Sequence, residues 1–217
     1  MNDQSNSLFI KELDFFKSAW REHKKTFWKY WVFVIVTIIL SYLAIYLTFR
    51  FTNLDVKEVF SKMGGGKGVT DEKDTYWEGT VSLFKNNWTV CLQILLISFI
   101  PIGLLYNVSL LLSSLTLGAM IGIAQVVGVN LFETIVLGVL PHSVLELSVF
   151  IITAVYARQI NKILVGKLIN KLRRNKKSLP SFRKCLKSTI ISFVFLITPL
   201  IFVAAVIEGY LTRFLFT

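Results

Sequence analysis

The chain has 217 residues, a formal net charge of +11 and a mean hydropathy of +0.62, and 54% of its residues are hydrophobic. That share only slightly exceeds the ~45–50% of soluble domains. However, Leu, Ile, Val and Phe gather into blocks of about 20 residues nearly free of charge, the length that crosses the ~30 Å hydrocarbon core of a bilayer. This excludes a soluble domain, and the positive charge falls in loops, where membrane proteins carry it, and in no nucleic-acid-binding motif, so nucleic acid is excluded as a partner.

Residues 1–29 form an N-terminal segment in which Ile10, Leu13, Phe16 and Trp20 recur at helical spacing among charges, the pattern of an interfacial amphipathic helix. They carry six basic residues and no cleavage site of the A-x-A kind, so the first apolar block, 30–49, is expected to stay as a transmembrane helix. Trp28, Tyr30 and Trp31 stand at its head as an aromatic belt does. Residues 50–88 read as a polar outer loop with six basic and six acidic residues. Its GGGKGVT stretch, with Gly64, Gly65, Gly66 and Gly68, lacks the spacing of a phosphate-binding loop.

The rest, 89–217, reads as one membrane domain. A second span is expected over 89–106, kinked at Pro101, with a tight turn at Asn107. A third, over 109–127, is rich in small residues. Gly118 and Gly122 form the small-xxx-small pair that lets helices pack closely in lipid. LFETIVLGVL, 131–140, precedes Pro141. The apolar tract is too long for one crossing, which favours a short half-helix that stops and a new span whose first turn holds Pro141, where a missing N–H costs nothing. One long tilted helix from 131 to about 158 is the alternative. Residues 157–187 hold eleven basic residues and no acid, with Ile160, Ile163, Leu164, Leu168 and Leu172 at helical spacing. They read as a basic amphipathic helix continuing from the span. A last span follows over 188–211, interrupted at Pro199. The two cysteines, Cys91 and Cys185, show no disulfide or C-x-x-C pattern.

The fold class expected is therefore an all-α polytopic membrane helix bundle with about five spans. By the positive-inside rule the 157–187 loop is cytoplasmic, the N-terminus is inside, and Arg213 onward is outside.

Three acids lie within or beside the later spans: Glu133, Glu146 and Glu208. A carboxylate at mid-bilayer costs at least ~2.5 kcal/mol unless paired or wetted. His142 and Glu146, at i and i+4, share a helix face. If a helix starts at Pro141, they lie ~2 Å and ~8 Å from its start, a depth that Glu208 shares. Three readings of this cluster stay open: a structural polar knot, a pocket for a ligand, lipid head group or peptide, and a metal or acid/base site. A His with two carboxylates can hold zinc and leave a place for water, although no H-E-x-x-H is present. Asn86 and Asn87 read as a helix cap at the second span or as amide partners in the same cluster. Lys167, Lys171, Arg173, Arg174, Lys176 and Lys177 read as a lipid-surface anchor or as a dock for a cytoplasmic partner such as an ATPase.

PHSVLEL at 141–147 and AAVIEGYLTRF at 204–214, behind the Asn86–Asn87 pair and the Gly-rich third span, resemble the stage II sporulation protein M (DUF95) family. Members often carry P-H-G-x-x-E-L and a late A-A-x-I-E. The resemblance covers roughly 80–214, and Ser143 stands where the family usually has Gly. It implies a multi-pass protein of the bacterial cell membrane acting with partners. These roles are a scaffold for peptidoglycan remodelling in sporulation or a component of ABC-type peptide export and bacteriocin production, with homo-oligomers possible in either. The other class of function kept in view is an intramembrane metal-dependent hydrolase or protease built on His142, Glu146 and Glu208.

Overall fold

The computed structural model describes residues 2–52, 75–128, 130–173, 175 and 177–212, and among these it is all-helical. Helix α1 runs unbroken from Asn2 to Phe51, so the amphipathic segment and the first span are one helix. The Gly-rich stretch and Arg213 onward lie outside the described residues.

Helix α2, Tyr76–Ile97, begins inside what the sequence suggested was a loop. The cause is a capping box. The Thr75 hydroxyl accepts from the Glu78 backbone N–H at 3.3 Å, and the Glu78 carboxylate accepts from the Thr75 backbone N–H at 2.8 Å. The expected 89–106 span is likewise not one helix. α2 ends at Ile97, and Pro101 lies in the turn beyond it instead of kinking a helix. Leu104 takes a left-handed φ of 71° in that turn.

A short 3-10 turn, Leu105–Asn107, leads into α3, Val108–Val127, which ends at Gly128 with φ 83°. The next segment opens on Asn130, whose Oδ1 accepts from the backbone N–H of Phe132 and Glu133. Leu131–Glu133 is a single α-turn and Thr134–Val139 a π-helical one. Helix α4, Leu140–Leu172, follows directly. Val139 and Leu140 keep right-handed helical dihedrals, so the half-helix is joined to the span and not broken from it. Pro141 cannot donate to the carbonyl four residues back. The helix accommodates this by widening, and the Leu140 N–H bonds Ile135 O, five residues back.

Pro199 repeats the device. α5, Phe182–Ser192, passes through π-helical Phe193–Ile197 into α6, Thr198–Val206, and the Thr198 N–H bonds Phe193 O. A third π turn, Ile207–Thr212, closes the described chain. The expected single basic helix over 157–187 is two helices. α4 ends at Leu172, Arg173 is extended, and Ser181 caps α5.

Among the described residues, four helical stretches are long and apolar enough to cross a membrane: His23–Phe51, Leu105–Val127, Leu140–Leu172 and Phe182–Tyr210. α2, which carries Glu78, Lys85, Asn86, Asn87 and Gln93, is not among them. Packing follows the logic of lipid and not of water. On α1, Val32, Ile35, Val36, Ile39, Leu40 and Leu43 are exposed, whereas Thr37 and Ser41 are buried. Small side chains at the seam, with large apolar ones turned outward on the opposite face, are what close approach of two helices in lipid requires.

The seam between α1 and α3 shows why. Gly118 faces the Ile38 carbonyl and Ser41, Gly122 faces Ile45 and the Tyr42 carbonyl, and the Ser41 hydroxyl donates to Leu115 O at 2.7 Å. The Tyr42 hydroxyl donates to Gln125 Oε1. α2 and the α5–α6 column run antiparallel, matched by Phe84 on Phe202 and by Trp88 Nε1 donating to Thr198 Oγ1 at 3.3 Å. Phe150, Ile151, Ile94, Leu110, Ile197 and Ile201 fill the centre.

Candidate functional site

The π turn after α6 sets Glu208 in place. Gly209 is buried against Thr80 on α2, so closely that any Cβ would overlap the threonine hydroxyl. One residue on, Tyr210 stacks on Tyr76 with ring centroids 5.7 Å apart. This contact presses the end of the last column onto the first turns of α2. Glu208 then points toward the start of α4.

There, His142 Nε2 lies 4.0 Å from Glu208 Oε1, with side-chain exposures of 14% and 28%. Glu146, one turn further along α4, faces the same layer, near enough to Glu208 and to the Asn87 amide to feel both, the two carboxylates repelling one another when both are ionised. Asn86 Nδ2 in turn donates to Asn87 Oδ1 at 3.4 Å. Asn87 is buried and Asn86 exposed. Neither asparagine caps a helix: both lie well inside α2, whose cap is Thr75. Three helical columns thus contribute to one polar layer. Pairing is how a membrane segment tolerates ionisable groups whose isolated burial is costly.

Ser143, where glycine was the family expectation, is buried and donates to Val139 O at 2.6 Å, inside the π turn. Below the layer, Thr153 Oγ1 bonds Val149 O at 2.8 Å and meets Cys91 Sγ at 3.4 Å. Glu133 is exposed and outside the cluster.

The zinc reading does not fit this arrangement. Among the described residues, no three His, Cys, Asp or Glu side chains gather in a way that would hold a metal ion. His23 is occupied elsewhere, bonded to Gln159 Nε2 with Nδ1 at 3.0 Å.

The basic residues collect at the other end of the molecule, around His23, Gln159 and Cys185. Lys171, Arg173 and Lys177 are exposed, and Lys167 lies 4.8 Å from the Phe182 ring centroid. Arg174 and Lys176 lie outside the described residues. Asn170 holds the connecting loop to α4: its Nδ2 donates to Lys177 O at 2.8 Å and its Oδ1 accepts from Lys177 N at 3.1 Å.

Sequence reasoning missed Asn161. It is buried in α4, and its Nδ2 donates to Ser98 O at 3.1 Å and Ile100 O at 2.6 Å, satisfying carbonyls that α2 leaves open where it ends. An uncharged Asn in an otherwise basic and apolar stretch was the available signal.

The profile of the family described as Stage II sporulation protein M matches residues 18–213. The chain belongs to the stage II sporulation protein M family. The match takes in α1 from residue 18 as well as the 80–214 region that carries the motifs. No curated protein matches the chain, and no solved structure does. Family membership and four membrane-length apolar helices together point to a membrane location.

Proposed function

We propose that this protein is a non-enzymatic, multi-pass subunit of the bacterial cell membrane that holds partner proteins in place, for peptidoglycan remodelling or for ABC-type peptide export. The observation that carries this reading is the family match over 18–213. In it, the His142–Glu146–Glu208–Asn87 layer is a structural tie between helical columns. The exposed Lys171, Arg173 and Lys177, with Arg174 and Lys176 beside them in sequence, form the cytoplasmic dock, with the N-terminus inside.

α4 supports a projecting dock by its length. At 33 residues it extends ~50 Å, well beyond a ~30 Å hydrocarbon core. Its basic end therefore stands clear of the apolar layer.

The test is affinity purification from native membranes in mild detergent. An ABC-type ATPase or a peptidoglycan-remodelling protein should co-purify in near-stoichiometric amount and be lost from the Lys171→Gln/Arg173→Gln/Lys177→Gln variant. Recovery of the protein alone, or retention of the same partner by the variant, contradicts the reading.

A further inference from the structure

A cavity of about 460 Å³ opens between α1, the turn before α3, and α4. It lies at the basic end of the molecule, far along α4 from the Glu208 layer. Its lining is mostly apolar, with Phe33, Val108 and Leu111, but two cations stand in it, Lys29 and Arg158, and among the described residues no acid does. Their places in the sequence fix its depth. Lys29 is the last charge before the 30–49 apolar block, and Arg158 is the first after the apolar run of α4. The two cations therefore meet where hydrocarbon gives way to headgroups.

A third polar atom is present. Asn107 lines the cavity, and its Oδ1 is a buried acceptor with no hydrogen-bond partner. Buried polar atoms are rarely left so. Beside it, the hydroxyls of Tyr106 and Tyr30 are 3.3 Å apart, and Arg158 reaches the Thr26 hydroxyl at 3.5 Å. Leu104 closes the margin in its left-handed conformation and is 68% exposed.

We propose that this cavity binds one anionic phospholipid. The phosphodiester would lie between Lys29 and Arg158, the Asn107 side chain would turn so that its Oδ1 accepts from a hydroxyl of the headgroup, and the acyl chains would run along Phe33, Val108 and Leu111. Two cations without a carboxylate select a negative headgroup, the orphan acceptor selects one that carries a donor, and the apolar walls select a lipid over a free phosphate. A phosphatidylglycerol-type lipid has all three features. The proposal is independent of which partner docks on the 171–177 loop.

The test uses the full chain in detergent and native mass spectrometry. Phosphatidylglycerol, phosphatidylcholine, phosphatidic acid and inorganic phosphate are each added, with thermal denaturation as a parallel readout. One molecule of phosphatidylglycerol should be retained in preference to phosphatidylcholine. Lys29→Gln/Arg158→Gln should weaken it roughly thirtyfold, given the contribution of each basic group at a membrane surface. Lys171→Gln/Arg173→Gln/Lys177→Gln, which alters only the last turn of α4 and the loop beyond it, should retain it. Asn107→Leu removes the orphan acceptor, so it should fold at least as well as wild type yet lose the preference for a hydroxyl-bearing headgroup over phosphatidic acid. Equal retention of phosphatidylcholine, equal stabilisation by phosphate alone, or undiminished binding in the Lys29/Arg158 variant would each overturn the proposal.

Discussion

His142 Nε2 and Glu208 Oε1 lie 4.0 Å apart, joining the first turn of α4 to the π turn that closes the last column. The two residues come from the motifs PHSVLEL and AAVIEGYL, which are separated by the whole basic region. Their meeting gives both motifs one structural reason. Pro141 forces a π turn just ahead of His142, and Gly209 lets the turn carrying Glu208 sit down on α2.

Gly209 is the most sterically constrained position at this end. Gly209→Ala would drive a methyl into the Thr80 hydroxyl, and overpacking of this kind costs about 1–3 kcal/mol. Thermal denaturation in detergent should show the loss, and Thr80→Ala should restore part of it in the double variant. A Gly209→Ala protein as stable as wild type would contradict the packing described.

The two glycines of α3 should differ in sensitivity. A Cβ at Gly118 meets the Ile38 carbonyl oxygen and comes within 2.8 Å of Ser41 Cβ, whereas at Gly122 the nearest atom is Ile45 Cγ2 at 3.0 Å. Backbone cannot step aside as an Ile side chain can. Gly118→Ala should therefore fall in the upper half of a range of about 1–3 kcal/mol and Gly122→Ala in the lower. Unfolding of the single variants in mixed micelles gives the ranking, and a reversed order would refute it.

Asn161→Leu leaves the buried Ser98 carbonyl without its donor and takes from Ile100 O one of its two donors, the other being the Ile102 N–H. The expected destabilisation is about 1–3 kcal/mol. It should be accompanied by faster thiol labelling of a cysteine placed at Ile100, because the turn is freed. Unchanged stability together with unchanged labelling would show that Asn161 does not hold the turn.

The cap of α2 carries a pH signature. The Thr75 backbone N–H and hydroxyl hold the Glu78 carboxyl below the usual value of 4.5. A folded pKa below the unfolded one stabilises the helix end above the unfolded value, and that stabilisation is lost as pH falls through the folded value. Hydrogen exchange at residues 76–80, corrected for intrinsic rates, should lose protection below about pH 4.5. Glu78→Gln keeps a capping side chain and should flatten this dependence. An identical pH profile in the two proteins would contradict it.

The apolar blocks made much of the membrane architecture readable, because lipid imposes a length on every crossing. α2 was harder to see. Its first turns are polar, and only the T-x-x-E box at Thr75–Glu78 marks their start. The break in the 157–187 region was also present in the sequence, as Pro180 followed by the cap Ser181, but the Ile and Leu residues at helical spacing among the Lys and Arg masked it. In the polar layer, His142 and Glu146 follow from spacing on one helix. The part played by Gly209 does not, because it depends on how closely a distant helix approaches. The π turns are similarly hidden: a proline shows that a hydrogen bond is missing, not how the helix will absorb the loss.

The tie between the motifs is best tested by a double-mutant cycle on His142→Gln and Glu208→Gln, read by reversible unfolding in mixed micelles. If the polar layer is a structural tie, each single variant should be destabilised and the pair should show a coupling of about 1 kcal/mol or more. Effects that simply add, within about 0.3 kcal/mol, would mean that the two side chains do not support one another and would contradict the account.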